Sequence, residues 1–402
     1  MAAVSGTAER RGEPASGLLL NLGGPLSRRS TLLLPAVVYL GVRALGVAVL
    51  TVFAAVHDTS LWSRLTAWDG EWYLKIAAHG YDLGPVPDAF DVPNPFTPRA
   101  FFPAYPFLIR VLTPPFGATA AALIVSLAAG LCAAYGMARL GRIVRGGSRR
   151  AGHILVALFA ATPMSIALSM AYTEALFCAL AVWTLIALLE RRWELAGVCC
   201  LAAGLVRSTA LALVVAVAVA AVVALVRRTD GVRPLAALAL APAGLFGYLW
   251  WTGLRVRPDA GLAEQLGTWS DLEWQGWLTR FDGGVSTVRF VAEVLTGSDT
   301  AMSVLTVGVI AGALAGFVVL VRQRREAALA VYAAGVMFLC LASSSLMHAK
   351  PRFLLPAFTL LVPVAIALAK RRTGTVVQVC SAVALLSAWF GAYALTVWQY
   401  AV

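Results

Sequence analysis

The chain has 402 residues, of which 60% are hydrophobic and only 13% charged, and a net charge of +12. Soluble domains carry about 25% charged residues, so a string of soluble domains is excluded and most of the chain belongs in lipid. The basic excess does not call for nucleic acid, because its placement follows membrane topology.

The first 30 residues are polar, contain Gly and Pro, and read as a disordered cytoplasmic tail without a cleavable signal. Residues 31–400 form one transmembrane domain. A span needs about 20 apolar residues, and spans are expected near 32–55, 117–138, 152–170, 173–189, 195–206, 208–226, 235–254, 301–321, 327–346, 353–369 and 375–398. The fold class is therefore an all-α polytopic membrane protein of about eleven transmembrane helices. The stretch 195–226 is divided at Arg207-Ser208, since one long helix would leave Arg207 in hydrocarbon. With the N-terminus inside, the inner segments hold 20 of the 32 basic residues and six of the 20 acidic ones, as the positive-inside rule requires. Arg43, near the middle of the first span, has no local acid, and Glu174 or a lipid phosphate is its expected partner. Cys132, Cys178, Cys199, Cys200, Cys340 and Cys380 lie in apolar runs without metal or disulfide spacing.

Two outer segments are long, at 56–116 and 255–300, and long loops in an otherwise tight-looped chain are where function is sought. In the first, Leu65, Trp68, Trp72, Ile76 and His79 share one helical stripe within 62–81, which predicts an amphipathic interfacial helix ended by Gly80. Asp69 falls on the border of that stripe, where lost solvation would raise its pKa and suit it to general-base work. It could equally satisfy N–H groups at the helix start. Extended backbone over Asp69-Gly70-Glu71 would instead make a paired-carboxylate site for Mg or Mn, and no other cofactor is indicated. Prolines at 103 and 106 are expected to delay the next helix to about Phe107. In the second segment Trp269, Trp274, Trp277, Leu278 and Phe281 predict another interfacial helix. Its acids Asp271, Glu273 and Asp282 are candidates for acceptor contact or for a solvated face.

Trp68-Asp69-Gly70-x-Trp72-Tyr73-x-x-Ile76-Ala77-x-His79-Gly80-Tyr81 and Phe101-Phe102-Pro103-x-Tyr105-Pro106 resemble the PIG-V family of mannosyltransferases, which in eukaryotes add the second mannose of the glycosylphosphatidylinositol anchor. Tyr172-Thr173-Glu174-Ala175-Leu176-Phe177, Ala203-Gly204-Leu205-Val206-Arg207-Ser208, Phe281-Asp282-Gly283-Gly284 and Lys350-Pro351-Arg352-Phe353 continue the resemblance in order.

The resemblance implies a GT-C glycosyltransferase fold in a bacterial plasma membrane, active on the outer face. The implied donor is polyprenyl-phosphate mannose, and the acceptor hydroxyl belongs to a glycolipid, a polysaccharide or a protein. It maps the essential acid of the first outer loop onto Asp69, as general base of an inverting single displacement. Arg207, Lys350 and Arg352, at the outer ends of spans, are the candidate cations for the departing phosphate. Glu174 is expected to pair with an Arg or to touch sugar. Trp72, Tyr73, Tyr105 and Tyr172 are candidates for the substrate wall, and His79 and His348 for hydrogen bonding. The same apparatus would serve a polyprenyl-phosphate glucose or pentose. A transporter or flippase is the remaining class, but it predicts inverted repeats that the sequence does not display.

Overall fold

The computed structural model of the chain describes residues 28–297, 300–323, 326–344 and 346–398. The expected tail up to residue 27, and also Asp299, Arg324, Arg325 and residues 399–402, lie outside the described residues. Contacts divide the chain into Met1–Leu34 and Pro35–Val402. Of the first unit the described part is the opening turns of one helix. The second unit holds the remainder of that helix and every later element.

In chain order, α1 (Arg28–Val56) leads into the first long segment. That segment holds α2 (Leu61–Leu65), α3 (Asp69–His79), a minimal hairpin pairing Val86–Pro87 with Pro93–Asn94, and a 3-10 turn at Thr97–Ala100. Then come α4 (Ala104–Phe116), α5 (Ala118–Ile143), α6 (Arg149–Ala160), a 3-10 turn at Ser165–Ser169, α7 (Glu174–Leu189), α8 (Trp193–Gly204), α9 (Ala210–Val226), α10 (Pro234–Leu240) and α11 (Ala243–Val256). The second long segment supplies α12 (Leu262–Trp277) and α13 (Val285–Thr296). The chain closes with α14 (Ala301–Arg322), α15 (Ala327–Leu341), α16 (Lys350–Phe353), a 3-10 stretch Leu355–Leu361, α17 (Val362–Ala369) and α18 (Thr373–Thr396).

Each segment expected to span contains helix, although several are broken and their lengths differ. Among the described residues five helices are long and apolar enough to cross a membrane, and the pair Met347–Phe353 and Leu355–Ala369, bent by 57°, makes a sixth. Apolar helices α7, α8, α9 and α15 are shorter, at 16, 12, 17 and 15 residues. The stretch 195–226 breaks between Gly204 and Ala210 into α8 and α9.

Four expectations are corrected. The segment 152–170 is not one helix, because Pro163 ends α6 and the chain continues as a 3-10 turn. The break frees carbonyls at the end of α6, and Arg43 fills it: its guanidinium donates to the carbonyls of Ala160 and Ser165 and to Ser165 Oγ. Its partners are thus a helix C-terminus and its neighbour, not Glu174 or a lipid. The single helix over 62–81 is two, because Trp68 takes φ 54° and ψ −113°. That conformation suits Gly at the second position of a type II′ turn, and the Ala67 carbonyl accepts from Gly70 N at 3.1 Å to close it. A bulky residue there stores about 1–3 kcal/mol of strain. Finally, α4 starts at Ala104 despite Pro103 and Pro106, because the first turn of a helix has no internal partners for its N–H groups, so the prolines lose nothing.

In lipid, helices associate by close packing of small residues more than by hydrophobicity. The crossing of α8 with α11 depends on this: a Cβ at Gly244 would overlap the Leu201 carbonyl, and one at Gly204 the backbone of Leu245. The connections then sort to two ends. At one, arginines tie neighbouring loops together: Arg139 with Glu190 at 2.7 Å, Arg191 with Asp230 at 3.4 Å, Arg233 with Glu194 at 3.4 Å, and Arg150 Nη2 with the Arg371 carbonyl at 2.7 Å. At the other, the two long segments meet the 170–173 and 205–209 turns. The crossing yields a direct expectation. Gly244→Val should cost about 3 kcal/mol or more by overpacking and lower the melting temperature of the detergent-purified protein sharply. Gly247→Ala, with open space at its Cβ position, should leave it unchanged.

Candidate active site

The two long segments are docked on each other and on the helix ends. The Asn94 amide donates to Gln275 Oε1 at 2.9 Å, and Ala89 N to the Gln275 carbonyl at 2.8 Å. Trp269 Nε1 donates to the Ala100 carbonyl at 3.0 Å, and the Tyr248 hydroxyl to the carbonyls of Arg99 and Phe101 at 2.9 and 2.6 Å. Ala171 N donates to the Leu65 carbonyl at 2.8 Å, which pins the strained turn before α3 against the start of α7. Beneath this roof lies a cavity of about 520 Å³, walled by α3, the 100–102 segment, the turn between α8 and α9, α11, α12, the end of α15 and α16.

Of the residues singled out for catalysis or donor binding, Asp69, Trp72, Tyr73, Arg207 and Arg352 line this cavity. The acid at its edge is held by a cation from the far end of the chain: Arg352 Nη1 donates to Asp69 Oδ2 at 2.7 Å. Arg352 is 7% exposed and Asp69 30%. Asp69 therefore meets a guanidinium rather than a bare apolar wall. It makes no capping bond at the start of α3, and its Oδ1 accepts no hydrogen bond among the described residues. Behind the wall lies Glu174, 1% exposed, at the first turn of α7, where the helix dipole favours an anion. Arg207 Nη1 lies 2.5 Å from its Oε1, and Arg352 Nε lies 3.6 Å away. Neither Glu174 oxygen accepts a well-aligned hydrogen bond among the described residues, so these contacts are ionic. Arg207 also donates to Thr173 Oγ1 at 3.0 Å. Four charges from four parts of the chain thus balance: Asp69 and Glu174 against Arg207 and Arg352.

The aromatic wall follows the same logic of fixed neighbours. Trp72 stacks on Phe101 with centroids 5.5 Å apart and meets Trp277 edge-on at 6.2 Å. Tyr73 packs edge-on against Phe101 and Tyr105 at 5.2 and 5.1 Å, and burial pushes its hydroxyl pKa far up. Tyr172 lies outside the cavity, its ring under the Arg352 guanidinium at 4.9 Å.

Other residues are placed elsewhere. Tyr105 is fully buried one layer below, bonded to Ser126 Oγ at 2.8 Å and the Ala122 carbonyl at 3.0 Å. His79 is exposed at the end of α3. His348 packs on Trp398 at 4.5 Å, with Nε2 3.1 Å from Ser303 Oγ. Lys350 is fully buried, and its Nζ donates to the Cys340 and Ser343 carbonyls at 2.7 and 2.9 Å. It thereby caps the end of α15 and does not line the cavity. Glu71 turns outward beside Lys75, at 3.9 Å. It shares the first turn of α3 with Asp69, so the extended backbone that a shared metal would need is absent. No cluster of three His, Cys, Asp or Glu side chains suited to a metal occurs among the described residues.

The sequence singled out Trp269, Glu273 and Trp277 in the second long segment but did not bring them together as one cavity wall. Trp269, Glu273 and Trp277 lie at successive steps of four and all line the cavity, a period that was present in the sequence. The interfacial helix ends at Trp277, because Leu278 turns left-handed at φ 54°, and Phe281 bridges in extended form to Ser343. Asp271 pairs with Arg257 at 3.0 Å. Asp282 accepts from Ser286 N and Gly284 N at 2.9 Å each and caps α13; hydrogen bonding from the Ser286 side chain, then these backbone bonds, hold its carboxyl below the usual range. Neither is free for an acceptor. Arg280 lines the cavity with its guanidinium over Trp274 at 4.7 Å and with no carboxylate partner among the described residues.

Residues 42–227 match the family model described as Mannosyltransferase (PIG-V), a range that contains Asp69, Glu174 and Arg207. No curated protein matches the chain. The buried charges set the stability of this site. Glu174→Ala, which strands Arg207, should cost about 3–5 kcal/mol. Lys350→Ala should cost about 1–3 kcal/mol by leaving carbonyls unsatisfied. Both effects should appear as lowered thermal midpoints in detergent, and Lys350→Ala should leave donor affinity in the surviving folded fraction unchanged.

Proposed function

From the match of residues 42–227 to the PIG-V mannosyltransferase family model, we propose that the chain is a mannosyltransferase of that family, which transfers mannose from polyprenyl-phosphate mannose to an acceptor hydroxyl with Asp69 as general base. One observation carries the reading. Asp69 stands at the cavity edge with Oδ2 held by Arg352 at 2.7 Å and Oδ1 without a partner among the described residues, beside aromatic surface and a second guanidinium.

The chemistry follows from that arrangement. The acceptor oxygen attacks the anomeric carbon as Oδ1 removes its proton, and the bond from that carbon to the phosphate oxygen breaks with inversion. One carboxylate is enough, because the leaving phosphate needs no protonation, unlike the leaving alcohol of a glycosidase. The negative charge that develops on the phosphate is met by guanidinium groups in a site of low dielectric. Arg207 and Arg352 each keep N–H groups beyond those bound to the carboxylates, and Arg280, on the same cavity, has no carboxylate partner among the described residues. Glu174 serves as the buried counter-charge that fixes the first two arginines in place. The apolar part of the wall, with Leu211, Leu245, Val336 and Leu339, suits the start of a polyprenyl chain. The arginine-tied end of the bundle belongs in the cytoplasm by the positive-inside rule, which puts the cavity on the outer face of the bacterial plasma membrane.

Membranes given labelled polyprenyl-phosphate mannose should yield a mannosylated product, and Asp69→Asn should lower the rate by about 10²–10⁴-fold. That variant keeps its shape and sits at a partly exposed position, so it should fold. Unimpaired turnover would remove Asp69 as the base. Cysteines placed at Ala78 or His79 should react with an impermeant maleimide added to intact cells, whereas labelling only after lysis would reverse the proposed sidedness.

A further inference from the structure

The α12 wall carries a group that the proposed reaction has not used. Glu273 lines the cavity between Trp269 and Trp277, each one turn away on the same helix face. Asp271, Glu264 and Asp282 are engaged by Arg257 or by the start of α13. The Glu273 carboxyl, by contrast, makes no hydrogen bond or ion pair among the described residues. Its flanking indoles are fixed: Trp269 by its bond to the Ala100 carbonyl, Trp277 by edge contacts to Trp72 and Phe101 at 6.2 and 5.3 Å. Rigid aromatic faces beside one convergent carboxyl are what a pyranose requires, since its C–H face packs on a ring while adjacent hydroxyls share a carboxyl.

The electrostatic neighbours of Glu273 identify which part of the substrate it meets. Its carboxyl lies within reach of both the Asp69 charge and the Arg207 charge. In the proposed reaction the acceptor oxygen is at Asp69 and the phosphate at Arg207. The anomeric carbon lies between them, and the group attached to it is the donor sugar. We infer that Glu273 binds hydroxyl groups of the transferred sugar against Trp269 and Trp277, and so makes the cavity discriminate glycosylated polyprenyl phosphate from the bare lipid phosphate. This inference rests on the donor reading above.

Burial in the apolar wall pushes the Glu273 carboxyl up to about 8, the Asp69 charge adding to the rise and Arg207 opposing it. At pH 7 the group is therefore mostly neutral, able to donate to one sugar oxygen and accept from another. Above that value it becomes a second anion beside the donor phosphate, and donor affinity falls. Facing groups on the packed elements are Asp69 and Tyr73 on α3, Arg207 before α9, Arg352 on α16 and Arg280 beyond α12. Tyr248 on α11 and Arg99 in the 97–100 turn are engaged with backbone and Asp82. Arginine does not titrate near neutrality and the Tyr73 hydroxyl is pushed up, so Glu273 is the group whose charge changes between pH 7 and 9.

The test is a tryptophan-fluorescence titration of the purified full chain in detergent, with polyprenyl-phosphate mannose and with polyprenyl phosphate as separate probes. Glu273→Ala should weaken binding of the mannosylated lipid about tenfold, the worth of one or two hydrogen bonds, and leave the bare phosphate unchanged. Glu273→Gln, which keeps a neutral donor and acceptor, should retain most of the affinity at pH 7 and lose the decline that the wild type shows between pH 7 and 9. The pH arm uses only the mannosylated lipid, whose phosphodiester has no ionisation in that range. Equal weakening for both lipids, an unchanged ratio in Glu273→Ala, or the same pH decline in Glu273→Gln would each overturn the inference alone. A wild type that does not bind the mannosylated lipid saturably would overturn the donor reading and the inference with it.

Discussion

Everything at the cavity end of this protein depends on keeping four charges where water is scarce. An isolated ion in such a place costs many kcal/mol, and only pairing makes it tolerable. Arg352 is the common member, in contact with Asp69 on one side and Glu174 on the other, while Arg207 completes the balance from a separate turn. Removing any one charge strands another. The first long segment, α7, the α8–α9 turn and α16 are thereby fixed to one another by electrostatic necessity as well as by packing, and the position of Asp69 is set by elements that lie more than a hundred residues downstream.

A balanced quartet also explains a division of labour. Glu174, fully enclosed, neutralises the arginines without competing for substrate. Asp69, at the rim, keeps an oxygen open to the cavity. On the proposed reading, a carboxylate thus serves as a fixed counter-ion or as a base according to depth, a distinction set by burial and partner rather than by the side chain itself. Strain assists: Trp68 holds a backbone conformation that a side chain rarely adopts, and the bond from Ala171 N to the Leu65 carbonyl holds the turn that forces it. Such strain persists only where the surroundings over-determine it.

Other charges serve the frame. Arg43 mends the helix break that Pro163 creates, and Lys350 closes the end of α15. Both were functional candidates by the ordinary rule that ionised groups in a membrane protein mark activity. In both cases the carbonyls that a broken or ended helix leaves bare are sufficient reason for the cation. The rule holds better for charges that meet charges than for charges that meet backbone.

The sequence by itself determined that the chain is helical and membrane-embedded, which ends of the helices carry arginine, and that the Trp68–Tyr81 motif resembles that of the PIG-V mannosyltransferases. These are properties of composition, period and local order, and they need no knowledge of neighbours. Asp69 and Arg207 were legible for the same reason, one through its motif and one through the cost of leaving it in lipid. Only the tertiary structure decided that Arg352 and not Lys350 faces the cavity, that Asp271 and Asp282 are consumed by local bonds while Glu273 is left open, and that Tyr105, His79 and His348 stand apart. Those outcomes depend on which backbone carbonyls and which counter-charges the packed helices bring within about 3 Å, a distance at which hydrogen bonds form and which spacing along a single chain does not encode.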